Sequence, residues 1–172
     1  GHQVGVWTQH TPVHETQPII AIGACLLESS GADIFLRKCI SVLEQEFPGR
    51  PIIGPMNGNT WMKHRLIIES GEREPFLMEP VEPKSLLTVF EAAGFTELSR
   101  YSSSRIDLTD EQPDFSRVAK IVSKQGIDIR SIDEANFEQD LSNIHQLSLA
   151  SFSNNFLYTP LPREAFMHSY LT

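Results

Sequence analysis

Residues 18–54, PIIAIGACLLESSGADIFLRKCISVLEQEFPGRPIIG, decide the fold class. The stretch opens at Pro18 on a nearly unbroken apolar run through residue 28, the pattern of a central strand covered on both faces. Gly23 inside the run points to a bulge or a close backbone approach. After Ser29, Ser30 and Gly31, apolar side chains recur at Ala32, Phe35, Leu36, Cys39, Ile40, Leu43 and Phe47, a stripe of helical period that stops before Pro48 and Gly49. Ser30 followed three residues later by Asp33 has the form of a capping box. Residues 51–54 (PIIG) then read as a second short buried strand. Strand, helix and strand predict a parallel crossover, and with it an α/β fold.

Working outward, HRLIIES and PFLMEP are two strand-like runs around Gly71, Glu72, Arg73 and Glu74, which predicts a hairpin. Arg65 and Glu79 fall on its two arms and are placed to pair across it. A second helix follows, with Pro83 at its first position, Leu86, Leu87, Phe90 and Ala93 as its apolar face, and Gly94 as the left-handed residue past its end. Residues 96–108 return as a strand through Ser102, Ser103 and Ser104. Asp110 to Asp114 is a polar hinge, followed by a linker helix with Phe115, Val118, Ile121 and Val122 inward and Gly126 at its end. Residues 127–132 (IDIRSI) read as a strand. Residues 134–152 form a helix carrying Phe137, Leu141, Ile144, Leu147 and Phe152, and another begins near Pro162 with Phe166 and Tyr170 on one face. This tail cannot bury its apolar faces alone, so it packs on the first unit or on a further domain. The units predicted are therefore 1–109, 110–126 and 127–172. The start on Gly1 and a helical pattern running into Thr172 without a stop signal lead us to expect a fragment.

The 172 residues carry 14 Lys plus Arg against 22 Asp plus Glu, a formal charge of −8. The acidic excess is shared by residues 1–109 and 110–172, leaving no basic stripe to neutralise phosphates, so a nucleic-acid partner is disfavoured. No run approaches the ~18 apolar residues of a membrane span, and no charged-then-apolar leader opens the chain, so a cytoplasmic protein is expected. Cys25 and Cys39 have no metal or redox spacing and read as buried reduced thiols. His10 and His14 share an i, i+4 spacing, but Pro12 between them argues for a loop, and no metal site is expected.

The order strand, glycine turn, helix, strand, helix ending AAGF, strand over residues 18–108 resembles the second half of the GNAT superfamily of acyl-CoA N-acyltransferases. The piece LLTVFEAAGFTEL (Leu86 to Leu98) looks like that superfamily's closing helix and next strand. IDIRSIDEANFEQDLSNIHQLSLASF looks like the opening strand and helix of another such unit, so the resemblance implies a tandem protein: a GNAT-like mixed sheet with helices on both faces, followed by the opening of a second unit. It further implies acetyl-CoA as co-substrate and an amine, on a small molecule or a peptide, as acceptor. Pantetheine would slot between diverging parallel strands at Ile20, Ala21, Ile22, Gly23 and Ala24, with a backbone amide near Gly23 polarising the thioester. The pyrophosphate would rest on Ser29, Ser30, Gly31 and Ala32 at a helix N-terminus, where unpaired N–H groups and the helix dipole favour anions. Three residues depart from the family pattern: Glu28 and Asp33 bring carboxylates to the phosphate turn, and Phe90 stands where a tyrosine proton donor is usual. The resemblance also implies acceptor contacts from the loop of Asn154, Asn155 and Tyr158.

The richest polar stretch is GPMNGNTWMKHRL, residues 54–66, which follows the end of a parallel strand, where α/β proteins bind ligands. Asn57, Asn59, Trp61, Arg65 and Tyr101 are its candidate substrate residues. Asn57 with Gly58 is equally a plain turn signal, and Tyr101 among three serines equally a polar edge. His64 is the candidate general base, since an imidazole titrates near neutrality; the alternative is a hydrogen-bonded surface histidine. Two functions follow: an acetyl-CoA-dependent N-acetyltransferase, or a non-catalytic degenerate GNAT domain acting as a binding or scaffold module. A homodimer, or packing on a second GNAT domain, would cover the tail's apolar faces.

Overall fold

The computed structural model describes residues 5–23, 31–72, 74–76, 79, 81–105, 114–127 and 129–171. It is a mixed α/β architecture in which β1 (Trp7–His10), β2 (Ile19–Ile22) and β3 (Ile52–Ile53) form one sheet in the order β1-β2-β3. β2 runs antiparallel to β1, with Trp7 opposite Ile22 and His10 opposite Ile19, and parallel to β3, with Ile20 opposite Ile52. All four residues of β2 are buried, as its unbroken apolar run requires of a strand flanked on both edges and both faces. β1 escaped sequence reading because Pro12 and the polar residues around it read as loop; the signal that was present is Val6, Trp7 and Thr8, residues suited to a pleated surface.

Alternation along β2 sorts the core into two layers. Ile20 and Ile22 face α1 (Ala32–Glu46) and α2 (Lys84–Ala92), where Ala32, Leu36, Leu43, Leu86 and Phe90 close one cluster. Ile19 and Ala21 face the other way, against Met56 and Leu157. Among the described residues α1 and α2 cover one face, and the buried residues packed on the other, Met56 and Leu157, come from loops. α1 begins at Gly31, whose φ of 87° is the left-handed region that glycine tolerates. The capping box expected of Ser30 and Asp33 falls on a residue, Ser30, outside those described; Asp33 itself pairs with Arg37 one turn on at 3.3 Å, an i, i+4 ion pair along the surface. Pro83 sits at the N-cap of α2 with ψ 135°, one position before its expected place.

Three predicted strand regions carry no strand among their described residues. The hairpin over residues 64–80 does not form among the described residues: Arg65 adopts φ 81°, which breaks an extended run, and the backbone of His64 bridges Met56 instead. The expected Arg65–Glu79 pair is absent with it, and Glu79 accepts from Ser103 at 2.8 Å. Of the strand expected over residues 96–108, residues 96–105 are exposed chain that carries no strand assignment, and 106–108 lie outside the described residues. The described part of 127–132 carries no strand; Arg130 turns back to Asp140 on α4 (Phe137–Ser151) through two hydrogen bonds of 2.7 and 2.6 Å.

The tail beyond residue 133 does pack on the first unit. α4 and α5 (Arg163–Leu171) enclose Leu141, Phe166 and Met167 with Trp61 from the first unit. The loop between them reaches the sheet: Leu157 enters the second layer in a left-handed conformation of φ 54°, and Val13 N–H donates to Tyr158 O at 2.9 Å. The linker helix α3 (Ser116–Lys124) forms as expected but has no buried residue. Among the described residues no helix is long and apolar enough to cross a membrane.

Candidate functional site

Residues 54–66 leave the carboxyl end of β3 as a closed loop. Met56 N–H donates to Ile22 O, Asn57 N–H to Lys63 O and Arg65 N–H to Pro55 O, at 2.9, 2.9 and 3.2 Å. These ties make an Ω-type loop whose two ends meet beside β2. Gly54 admits it to the core: a Cβ there would stand 2.6 Å from Ile22 Cγ2 and 2.8 Å from Phe90 Cε1.

Within the loop, several candidate residues prove to be framework. Asn59 Oδ1 accepts from the Trp61 N–H at 3.0 Å, closing an Asx turn. Asn57 lays its amide oxygen over buried Gly23, filling the space a Cβ would need. Trp61 is the bolt between the two halves of the chain. Its indole N–H donates to Thr159 O at 2.9 Å, and its ring meets Phe152, Tyr158 and Phe166 with centroids 6.0 to 6.3 Å apart.

What the loop leaves together is His64, Arg65 and Tyr101. The His64 and Tyr101 rings are edge to face at 6.1 Å, and the Arg65 guanidinium lies over the same Tyr101 ring at 4.9 Å. His64 Nδ1–H donates to Met62 O at 2.8 Å, which leaves Nε2 as the basic nitrogen. Burial lowers the His64 pKa below 6.5, with the hydrogen bond to Met62 acting against it and the Arg65 charge acting with it. The ring is therefore mostly neutral at pH 7.

The residues that the family resemblance implies for acetyl-CoA are only partly described. Ala24, Ser29 and Ser30, with Glu28, lie outside the described residues. Ile22 and Ala32 are core residues, Gly31 is exposed at the start of α1, and the Gly23 N–H donates to Val6 O at 2.9 Å. β2 and β3 stay joined as far as the Met56–Ile22 bond. Phe90 is 1% exposed and stacks on Phe95 in the core.

Other polar groups, among them His10, His14 and Tyr158 already raised from the sequence, take their surroundings from the fold. The Tyr158 hydroxyl and both ring nitrogens of His10 are buried without a hydrogen-bond partner among the described residues. Both residues border the sheet's second layer, and their function-bearing look comes from the fold, since His10 in sequence is one residue of a polar loop. Asp140 is held at a pKa of about 2 by hydrogen bonds from Arg130 and from the Asp133 N–H. His14 Nε2–H donates to Ser153 O at 2.7 Å, another tie between the chain's two parts. Half-buried Cys39 lines an apolar pocket of about 240 Å³ between β1 and α1; Cys25 lies outside the described residues. No group of three or more metal-ligating side chains occurs among the described residues. No family model matches the chain, and neither curated proteins nor solved structures match it.

Proposed function

We propose that this chain is an acyl-CoA-dependent N-acyltransferase unit of GNAT type, with its acceptor crevice at the carboxyl ends of β2 and β3. One observation carries the reading: at the end of a parallel strand pair joined by a crossover helix, a closed loop presents a neutral imidazole whose Nδ1 is tied down and whose Nε2 is basic. In this reading His64 Nε2 takes a proton from the acceptor ammonium, the freed amine attacks the thioester carbonyl, and CoA leaves as a thiolate that is then protonated. A base for that step works best with a pKa near the operating pH and contributes roughly 10²- to 10⁴-fold. The closure of α2 at Gly94 supports the same family pattern.

The second reading is a GNAT-like domain that binds without catalysing. Phe90 in the core has no proton to give a thiolate, and the Gly23 N–H is engaged by Val6 rather than facing a thioester. Melting the full chain with and without acetyl-CoA separates the two. A ligand at a hundred times its dissociation constant adds about 2.7 kcal/mol to the native state. A rise with acetyl-CoA, followed by acyl transfer that His64→Ala lowers about 100-fold, supports the enzyme; no rise with acetyl-CoA or CoA removes it and favours the binding module.

A further inference from the structure

We propose that Arg65 is the anion-binding group of this crevice and that, over Tyr101 and beside His64, it receives the carboxylate of an amine-bearing acceptor. The amine rests on the acyltransferase reading; the carboxylate rests on the residues themselves. Two cations leave the loop side by side and meet different surroundings. Lys63 is matched, its Nζ 2.6 Å from Oε1 of Glu82, whose side chain is only 12% exposed. Arg65 meets no carboxylate among the described residues, in a chain where acidic groups outnumber basic ones 22 to 14. Its Nε is buried without an acceptor. A guanidinium stays charged at every accessible pH, so a shielded donor on it is a strong demand for an anion.

The position is also held at a cost. Arg65 has φ 81°, a region that side-chain-bearing residues avoid, and such conformations persist where the surroundings over-determine them. Here the surroundings are the Pro55 carbonyl on its N–H and the Tyr101 ring under its guanidinium. The flat face of the guanidinium is occupied by that ring, while its N–H edge keeps the two-pronged geometry that matches a carboxylate. A single unmatched positive charge suits a monoanion, because Lys63 is already neutralised by Glu82. His64 packs on the same ring, so a ligand carboxylate on Arg65 sits within a few ångströms of the imidazole, and its amine comes within reach of Nε2.

The test is an NMR titration of the ¹⁵N-labelled full chain, read at the Arg65 Nε–H resonance. The ligands are sodium acetate, glycine, methylamine and inorganic phosphate at up to tens of millimolar, a range that covers weak single contacts. We expect a saturable shift with acetate and glycine and none with methylamine. Arg65→Gly, whose backbone suits the left-handed conformation, keeps the fold and abolishes the glycine-induced shift of the His64 ring resonances. Arg65→Lys keeps the charge, loses the fork, and weakens that response about tenfold. No response to acetate overturns the proposal, and saturation by phosphate below the acetate range overturns the carboxylate assignment. A response to acetate without any melting shift from acetyl-CoA supports the anion site while removing the acyltransferase reading.

Discussion

Two nine-residue helices, α2 and α3, close in the same way and sit in opposite surroundings. Each ends on a left-handed glycine, Gly94 at φ 99° and Gly126 at φ 70°. In each, the residue after the glycine donates back to a carbonyl five residues earlier, Phe95 to Phe90 and Ile127 to Val122, and the glycine itself donates to Glu91 or Ser123. Both therefore carry the full Schellman closure. Yet α2 buries Leu86 and Phe90 against β2 and α1, whereas Phe115, Val118 and Ile121 along α3 are 60%, 53% and 47% exposed. A glycine stop and an apolar stripe suffice to write a helix; they do not say what the stripe will meet.

The contrast is sharpest at the paired phenylalanines. Phe90→Ala removes a ring from a filled core and should cost about 3–5 kcal/mol in urea unfolding, while Phe115→Ala should stay within about 0.5 kcal/mol. Equal losses would mean that α3 is docked in solution and would break the comparison. Gly54→Ala comes next: its methyl meets Ile22 and Phe90 inside 3 Å, and overpacking of this kind costs roughly 1–3 kcal/mol in the same experiment.

The two closing glycines sharpen it further. Gly94→Ala places a side chain in the left-handed region of a helix that belongs to the core, and should lower global stability by about 1–2 kcal/mol. Gly126→Ala carries the same local strain but should leave the thermal midpoint nearly unmoved, because α3 buries no side chain among the described residues. Its effect belongs in hydrogen exchange, where α3 amides, already less protected than those of α2, exchange faster still. A global loss from Gly126→Ala as large as that from Gly94→Ala would contradict this.

The smallest effect is a pH slope confined to the packed region. Burial lowers the His10 pKa below 6.5, so the unfolded chain binds the proton more readily than the folded one. Stability on this account is full above about pH 6.5 and falls as pH drops below it, toward the folded value. Melting between pH 7 and 5 should show that slope, and His10→Val on β1 should reduce it to the share that His64, lowered in the same way, contributes, without loss at pH 7, since both His10 ring nitrogens lack partners among the described residues. A slope unchanged in the variant would assign it to another group.

Much of the described order was legible in the sequence. The apolar run at residues 19–22, the stripe of α1, Gly94, Gly126 and the long helix from Phe137 each act through the local backbone, over one or two turns. The extended segments failed for one shared reason: a strand exists only when a second strand supplies its hydrogen bonds. Residues 127–132 have alternating isoleucines, but their described part carries no strand, and Arg130 binds Asp140. β1 has the neighbour and a weak pattern, and it forms. The site divides along the same line. Its place after a parallel strand was readable, but Trp61 and Asn57 became framework only once Thr159 and Gly23 were brought beside them.

The sequence by itself determined an α/β chain with one parallel strand pair, the helices in their order and their glycine stops, because turn geometry and helical periodicity are decided by residues a few positions apart. Tertiary structure alone decided which stripe was buried, that Leu157 would pack on the second face of the sheet, and that Lys63 would find Glu82 while the Arg65 guanidinium came to lie over Tyr101. Those outcomes depend on contacts between residues far apart in sequence, whose partners no local pattern names.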